Sequence, residues 1–552
     1  MDPIWMKSYP AAVEAAPAVA RGTLAAMISE RCKRYAEREA FWSLGRSMSF
    51  GECHLHGRAI AAWLQRERLA AGDRVAIMLP NVLAFPVALF GALLGGYVVV
   101  TANPLYTPRE LAHQLRDAGA RTLFAWAPAV PVVDRAIDEF GLELDRLVIV
   151  APTSPLGAPN ASGGATAGSR PVRQTLESVL ADSAAGTVAP IAAAPSDPAF
   201  LLYTGGTTGV SKGAVLTHVN VLTQQAQLRA WLGPFLDDGD GPQRVIQPLP
   251  LYHAGALLAG AFPNVDRGIA TVLIADPRNL DGFVATLAAQ PFTAIVGINT
   301  LYNGLIHHPR IREVDFSNCR FALAGAAATQ PVVAERWRAL TGIEISEVYG
   351  LTEACGAVTV QALDGRPFDG TVGLPIPLAE LSIRDAGGRE LGVGEPGEVC
   401  VRGPQVMAGY WNRPEETAKV MTADGYLRTG DIGSLDARGY LRISDRLKDM
   451  ILVSGFNVFP NEIEAVLLAH PKVLEAAVVS VPDGRSGEAP AAFVVRSDPS
   501  LTEAELRDYC AGQLTAYKRP RSFEFRDALP KTPVGKILRR TLRDEAHRQA
   551  GG

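Results

Sequence analysis

Short apolar runs closed by turn residues alternate with amphipathic stretches through the first quarter of the chain. "DRVAIMLP" (73–80) is an apolar run of strand length, and it predicts a buried strand. "PVALFGALLGGYVVV", from Pro86, predicts a core helix that breaks at Gly95-Gly96 and a second buried strand. The run is shorter than the ~20 residues a membrane span needs. "TPRELAHQLRDAGA" opens with Thr107 at the N-cap, Pro108 at the first helical position and Glu110 placed for a capping box, and it closes on Gly119. "RTLFAW" predicts a third strand. Strand, helix, strand, helix, strand in this order predicts a doubly wound parallel sheet.

The pattern changes twice. Residues 152–198 are rich in Ala, Gly, Pro and Ser, and predict a mobile surface insertion, because strand-like "AFLLYT" resumes directly after them. After "DRLKDMILVSG" (445–455) the units become smaller. "EIEAVLLAH" reads as a helix, "EAAVVSVP" and "AAFVVRS" as strands, and "LTEAELRDYCAGQL" as a helix with a Thr502/Glu505 capping box. The expected division is an N-terminal domain over 1–447 and a C-terminal domain over 448–552.

A length of 552 residues exceeds one core and agrees with two domains. Hydrophobic residues at 48% and charged residues at 20% are ordinary for a globular protein, and a net charge of -4 gives no reason to expect nucleic acid as a partner. Six cysteines without metal-like or paired spacing read as free thiols of a reducing, cytoplasmic compartment. The N-terminal stretch lacks the cationic and apolar segments of a signal peptide, and "RQAGG" is no targeting signal.

"YTGGTTGVSKGA" (203–214) has little apolar surface and much backbone entropy to lose on ordering. A strand that runs into such a loop can turn backbone N–H groups and hydroxyls toward one point, a nest for phosphate oxygens, with Lys212 adding charge. It is not a Walker A loop, since Ser211 precedes the lysine. A flexible surface turn is the competing reading. Four other stretches bear on it. "EVYGLTEACG" (347–356) offers an aromatic for a base and Glu353 for a metal. "RTGDIG" (428–433) sets Asp431 in a turn, where it can take ribose hydroxyls. "SDRLKDM" supplies Arg446 and Lys448, and "PKTPVGKILRR" (530–540) places Lys536 in a Gly-bounded tail.

Taken in order, these motifs resemble the adenylate-forming acyl-CoA synthetases. In detail, "PLYTPREL", "LPLYHAGAL", "GEVCVRGPQVMAGYWNRPEET", "DRLKDMILVSGFNVFPNEIE" and "LTAYKRP" resemble the bacterial long-chain fatty acyl-CoA synthetases. The resemblance implies an α/β fold: a large N-terminal domain of doubly wound sheets plus a distorted barrel, with a small mobile α+β C-terminal domain. It implies ATP, Mg²⁺ and coenzyme A, a small-molecule carboxylic acid substrate, and a reaction through an acyl-adenylate with release of pyrophosphate and then AMP. The residues it assigns to ATP are Thr204, Gly205, Gly206, Thr207, Thr208, Gly209, Lys212, Gly325, Ala326, Glu347, Val348, Tyr349, Gly350, Thr352, Asp431, Arg446 and Lys536. Catalysis falls to Lys536, Glu353, Thr204 and Lys212, and the metal to Glu353. His253, Ala254, Gly255 and Gly297 are expected at the acyl pocket. Lys448 is the expected hinge, and Ser454, Gly455 and Phe456 the expected coenzyme A surface. "LAGAAATQ" (323–330) departs from the family in having fewer glycines. Aryl, short-chain or dicarboxylate ligases of the same fold, a peptide-synthetase adenylation domain and a non-catalytic homologue are the alternatives. So are a homodimer, and a peripheral contact with the inner face of a membrane.

Overall fold

The computed structural model describes residues 3–19, 21–152, 171–183, 187–189, 193–204, 211–236, 243–532 and 535–550. Among them the first sheet runs, edge to edge, Gly409–Tyr410, Lys212–Thr217, Pro198–Thr204, Val98–Thr101, Arg74–Met78, Thr122–Trp126, Arg146–Val150 and Val172–Thr175. Its centre is parallel, with Arg74 opposite Val98 and Val75 opposite Thr122. Val75 to Met78 are wholly buried, as a strand covered on both faces must be. Helix Ala84–Leu94 is apolar all round and buried accordingly. The expected capping box closes at Pro108–Ala118: Thr107 Oγ1 accepts from the Glu110 N–H at 3.3 Å, and Glu110 accepts from the Thr107 N–H at 2.8 Å. Gly119 ends that helix at φ +67°.

The stretch 152–198 departs from its reading as a mobile insertion. Val172–Thr175 is an edge strand of the sheet, and helix Leu176–Ser183 buries Leu176 and Val179. The small residues around it hide a short apolar pattern. Residues 153–170 lie outside the described part.

A second sheet carries parallel strands Arg244–Gln247, Ala270–Leu273, Ala294–Gly297, Phe321–Gly325 and Ile345–Tyr349. A four-stranded antiparallel sheet, Glu380–Arg384, Gly397–Arg402, Leu427–Leu435 and Leu441–Arg446, stands where the barrel was expected. The chain then changes sheets. Ile451–Val453 and Phe456–Val458 form a hairpin in a mixed sheet with Val473–Asp483, Gly487–Arg496 and Ser522–Arg526. This sheet is backed by helices Pro460–Ala469, Glu503–Gln513 and Arg539–Ala550. At Thr502 one half of the expected capping box forms, and Glu505 turns instead to Lys472, 3.0 Å away. No helix among the described residues is long and apolar enough to cross a membrane.

Candidate functional site

The C-terminal ends of neighbouring strands Phe321–Gly325 and Ile345–Tyr349 bring two of the expected loops together. Open α/β sheets bind ligands at such ends. Gly325 pairs with Val348, and a side chain at Gly325 would meet the Val348 carbonyl at 2.9 Å. Ala326 takes φ +64°. A left-handed turn is therefore kept without a glycine, at a cost of roughly 1–2 kcal/mol. Gly350 is required outright, since a Cβ there would lie 2.3 Å from the Gly356 carbonyl. Glu347 is buried and accepts the Thr329 N–H at 3.1 Å. Burial pushes its carboxyl up to about 7. It ties the turn to the strand, and its carboxylate is closed to a ligand.

Tyr349, Asp431 and Arg446 meet as expected. Tyr349 donates to Asp431 Oδ2 at 2.8 Å, and Arg446 Nε stands 2.9 Å from Oδ1. Antiparallel register puts Asp431 directly opposite Arg446. Lys536 arrives from the far end of the chain. Its neighbours include Arg446, Asp431, Arg539 and Lys448, and burial together with the three cations lowers its ammonium to about 8. Burial and Arg446 also lower Lys448, on the turn where the chain leaves one sheet for the next. Arg539 is matched by buried Asp445 (3.1 Å) and Glu464 (2.6 Å). Arg446, Lys448 and Lys536 thus gather here with Asp431 and Asp449.

Gly205, Gly206, Thr207, Thr208 and Gly209 lie outside the described residues. The loop's feet are described. Ser211 Oγ donates to the Thr204 carbonyl at 2.7 Å, and Thr204 and Lys212 are cross-strand partners. Lys212 Nζ forms an ion pair with Glu416 and sits 5.2 Å from the centre of the Tyr410 ring. Tyr410 in turn donates to Glu353 Oε1 at 2.8 Å. Sequence reasoning missed Tyr410 and Glu416. The signal was "GYWNRPEET", but only the pairing of Gly409–Tyr410 with Val215 and Ala214 carries it to the lysine strand. Glu353 and Thr352 lie on a single 3-10 turn. Among the described residues no three His, Cys, Asp or Glu cluster as a metal cage. A lone, oriented carboxylate still fits Mg²⁺, which binds through one or two carboxylates plus substrate phosphates.

His253 is hemmed in by protein, and burial lowers its imidazole to about 4, yet its ring surface is open. Gly255 is open as well, with nothing within 4 Å of an added Cβ. Ala254, in contrast, is buried, and its carbonyl packs against Gly356 of the Glu353 loop. Gly297 departs from its pocket reading: it is buried beneath the Tyr302 ring, which a Cβ would meet at 2.8 Å. Tyr302 and Leu305 are likewise core.

Ser454 and Gly455 make a hairpin turn, both at positive φ (+50° and +86°), and Phe456 stacks on Tyr517 at 4.8 Å. All three are exposed in this arrangement. The C-terminal domain docks instead through other residues: Thr300 donates to the Gly535 carbonyl at 2.9 Å, and Asn303 to the Leu474 carbonyl, on strand Val473–Asp483, at 3.0 Å.

Comparison with known proteins agrees with this geometry. Residues 28–411 match the AMP-binding enzyme family, and residues 462–536 match the AMP-binding enzyme C-terminal domain. The chain is 45% identical over 557 residues to a long-chain-fatty-acid–CoA ligase of Escherichia coli O157:H7, with 99% of each chain covered. It is 43% identical over 560 residues to one of Yersinia pestis, covering 99% of this chain and 98% of the relative. A crystal structure of an anthranilate CoA ligase in complex with anthranoyl-AMP superposes with a TM-score of 0.85 at 25% identity, over 96% of this chain and 98% of the other. With its two matched domains and its end-to-end likeness to these relatives, the chain belongs to the AMP-binding enzymes, the adenylate-forming acyl-CoA synthetases.

Proposed function

We propose that the chain activates medium- or long-chain fatty acids, joining them to coenzyme A through an acyl-adenylate at the expense of ATP. The observation that carries this is the delivery of Lys536 to the Asp431–Arg446 pair. The relatives that match from end to end, and bear the name of long-chain-fatty-acid–CoA ligases, support the substrate.

The first half-reaction brings a carboxylate to the ATP α-phosphate and expels pyrophosphate. An anion approaches a polyanion, so charge must be neutralised where it concentrates. Tyr349 offers its ring to adenine, and Asp431 takes the ribose hydroxyls in place of the Tyr349 hydroxyl it now accepts from. Lys536 is a mobile point charge between the entering carboxylate and a phosphate oxygen. Thr204 and Lys212 hold the outer phosphates with the glycine loop. Glu353, fixed by Tyr410, would hold Mg²⁺. When bound, that ion neutralises phosphate charge. His253, kept neutral by burial, walls the acyl end of the site and is not a base, since an ionised fatty acid has no proton to lose.

In the second half-reaction the thiol of coenzyme A attacks the acyl carbonyl and AMP leaves. The change from one sheet to the next around Lys448 supports a division into domains 1–447 and 448–552, with Lys448 as the hinge. Rotation there withdraws Lys536 and brings Ser454, Gly455 and Phe456 to the pantetheine. Their exposure in the present arrangement supports this role.

AMP release measured with coenzyme A across C2 to C18 acids, aryl acids and dicarboxylic acids tests the reading. A maximum among the C8 to C18 acids is expected. Preference for an aryl or dicarboxylic acid would overturn it. Glu353→Gln keeps the side-chain shape and should raise the Mg²⁺ concentration needed for half-maximal adenylation. An unchanged magnesium titration would reject Glu353 as the metal's carboxylate.

A further inference from the structure

The segment after His253 is not an ordinary helix. Gly255–Ala261 winds as a π-helix of 7 residues. Wide turns of this kind are rare and frequent at functional sites. Its small residues Gly255, Ala259 and Gly260 keep accessible surface, while Ala256, Leu257 and Leu258 are buried. Two of its carbonyls receive side chains from elsewhere. Gln225, on helix His218–Leu236, donates through Nε2 to the Leu258 carbonyl at 2.9 Å. Gln247, at the end of strand Arg244–Gln247, donates through Nε2 to the Ala256 carbonyl at 3.2 Å.

Both glutamines are buried, at 2% and 0% exposure, so neither reaches the open space by Gly255. Gln247 is itself fixed, its Oε1 accepting the Leu249 N–H at 3.2 Å. Among the described residues Gln225 Oε1 has no partner. A buried amide that leaves an oxygen unpaired is costly, unless the bond made by its nitrogen matters more. Gly260 leaves room for the brace: a Cβ there would stand 2.2 Å from Gln247 Nε2.

We infer that Gln225 and Gln247 are positioning residues that hold Gly255–Ala261 in its wide π form, and that this form sets the length of acyl chain the site accepts. The inference rests on the fatty-acid reading above. Without the two donors, the segment tightens toward the α pitch and withdraws the space beside Gly255. Long chains then lose burial that short chains never used.

The test compares Gln225→Met and Gln247→Met with wild type. Methionine keeps the approximate volume and removes the donor. The ratio of kcat/KM for hexadecanoate to that for octanoate should fall about tenfold, the scale of about two CH₂ groups no longer buried. The KM for ATP should stay within about twofold. Gly260→Ala evicts the Gln247 amide from the other side and should move the ratio in the same direction. Gln227→Met is the control. That residue is buried on the same helix, but donates to the Pro377 carbonyl at 2.7 Å, away from the π-helix. It should lower the melting temperature and leave the ratio alone. A parallel loss for both acids in the brace variants, or an equal shift in Gln227→Met, overturns the inference. Hydrogen exchange over 255–261 provides a reading free of substrate. Amides there should exchange differently in the two brace variants and not in Gln227→Met, and no difference also overturns it. Wild-type enzyme inactive on every fatty acid would overturn the substrate reading instead, and exchange would then decide the brace alone.

Discussion

Lys536 and Glu416 show how much one side chain can do here. Lys536 is half-buried, and desolvation with the cations around it lowers its ammonium from the ordinary lysine range to about 8. In the mechanism proposed above, the charged form is the one the adenylation step uses. As pH rises through about 8 the free enzyme loses that charge, and kcat/KM for adenylation should fall. Lys536→Arg keeps a charge throughout this range and should abolish the fall; a fall retained in that variant would assign it to another group. Lys536→Ala should slow pyrophosphate exchange by roughly 10²–10³-fold, the scale of one lost transition-state charge contact. Thioester formation from supplied acyl-adenylate should survive, and equal damage to both steps would refute the division of labour. Glu416 acts in the opposite sense. It occupies Lys212, and each side chain of the pair is about a third exposed (32% and 30%). Such exposed pairs are screened by solvent and contribute little. In the mechanism proposed above, nucleotide phosphates displace Glu416 from Lys212, so Glu416→Gln should lower the KM for ATP a few-fold. A raised KM would mean that Glu416 positions the lysine and does not compete for it.

At the scale of elements, the proposed acyl side of the site rests on the π-helix and the turn before it. Gly255 opens on free space. Gly255→Phe should therefore fill the space without disturbing the core. Hexanoate should keep most of its kcat/KM. Dodecanoate and hexadecanoate should lose progressively more, since each CH₂ no longer buried forfeits ~0.8 kcal/mol. A parallel drop for all three acids would place Gly255 in folding or ATP geometry. Tyr410 links elements that are distant in sequence: it joins the Glu353 turn to the Lys212 strand. Removal of its hydroxyl in Tyr410→Phe should raise the Mg²⁺ concentration needed for half-maximal adenylation by less than Glu353→Gln does, because the carboxylate remains.

For the whole molecule, the function proposed above makes the arrangement in hand one suited to adenylation. Lys536 lies within the influence of Arg446 and Asp431, and the Ser454–Phe456 turn is exposed. Two hydrogen bonds across the domains help to hold it, Thr300 to Gly535 and Asn303 to Leu474. Each is worth ~0.5–1.5 kcal/mol. The double variant Thr300→Val, Asn303→Ala should slow adenylation several-fold and spare thioester formation from acyl-adenylate. An equal fall in both half-reactions would show that these bonds stabilise the fold and do not select the domain arrangement.

The sequence by itself determined what depends on near neighbours. Thr107, Glu110 and Gly119 bound their helix because caps and left-handed turns are local chemistry. Strands such as Arg74–Met78 follow from apolar runs, and the order of motifs from 203 to 540 pointed to the chemistry. Composition misled at Val172–Thr175, where an edge strand lies among small residues. Only the tertiary structure decided the juxtapositions. Tyr349, Asp431, Arg446 and Lys536 come from two sheets and two domains, and sheet register with domain docking is what makes them neighbours. The pairing of Gly409–Tyr410 with the lysine strand, the amides of Gln225 and Gln247 on the π-helix, and the Tyr302 ring over Gly297 are of the same kind. Each depends on which surfaces face one another once the cores are buried, and hydrophobic burial drives that packing without regard to distance along the chain.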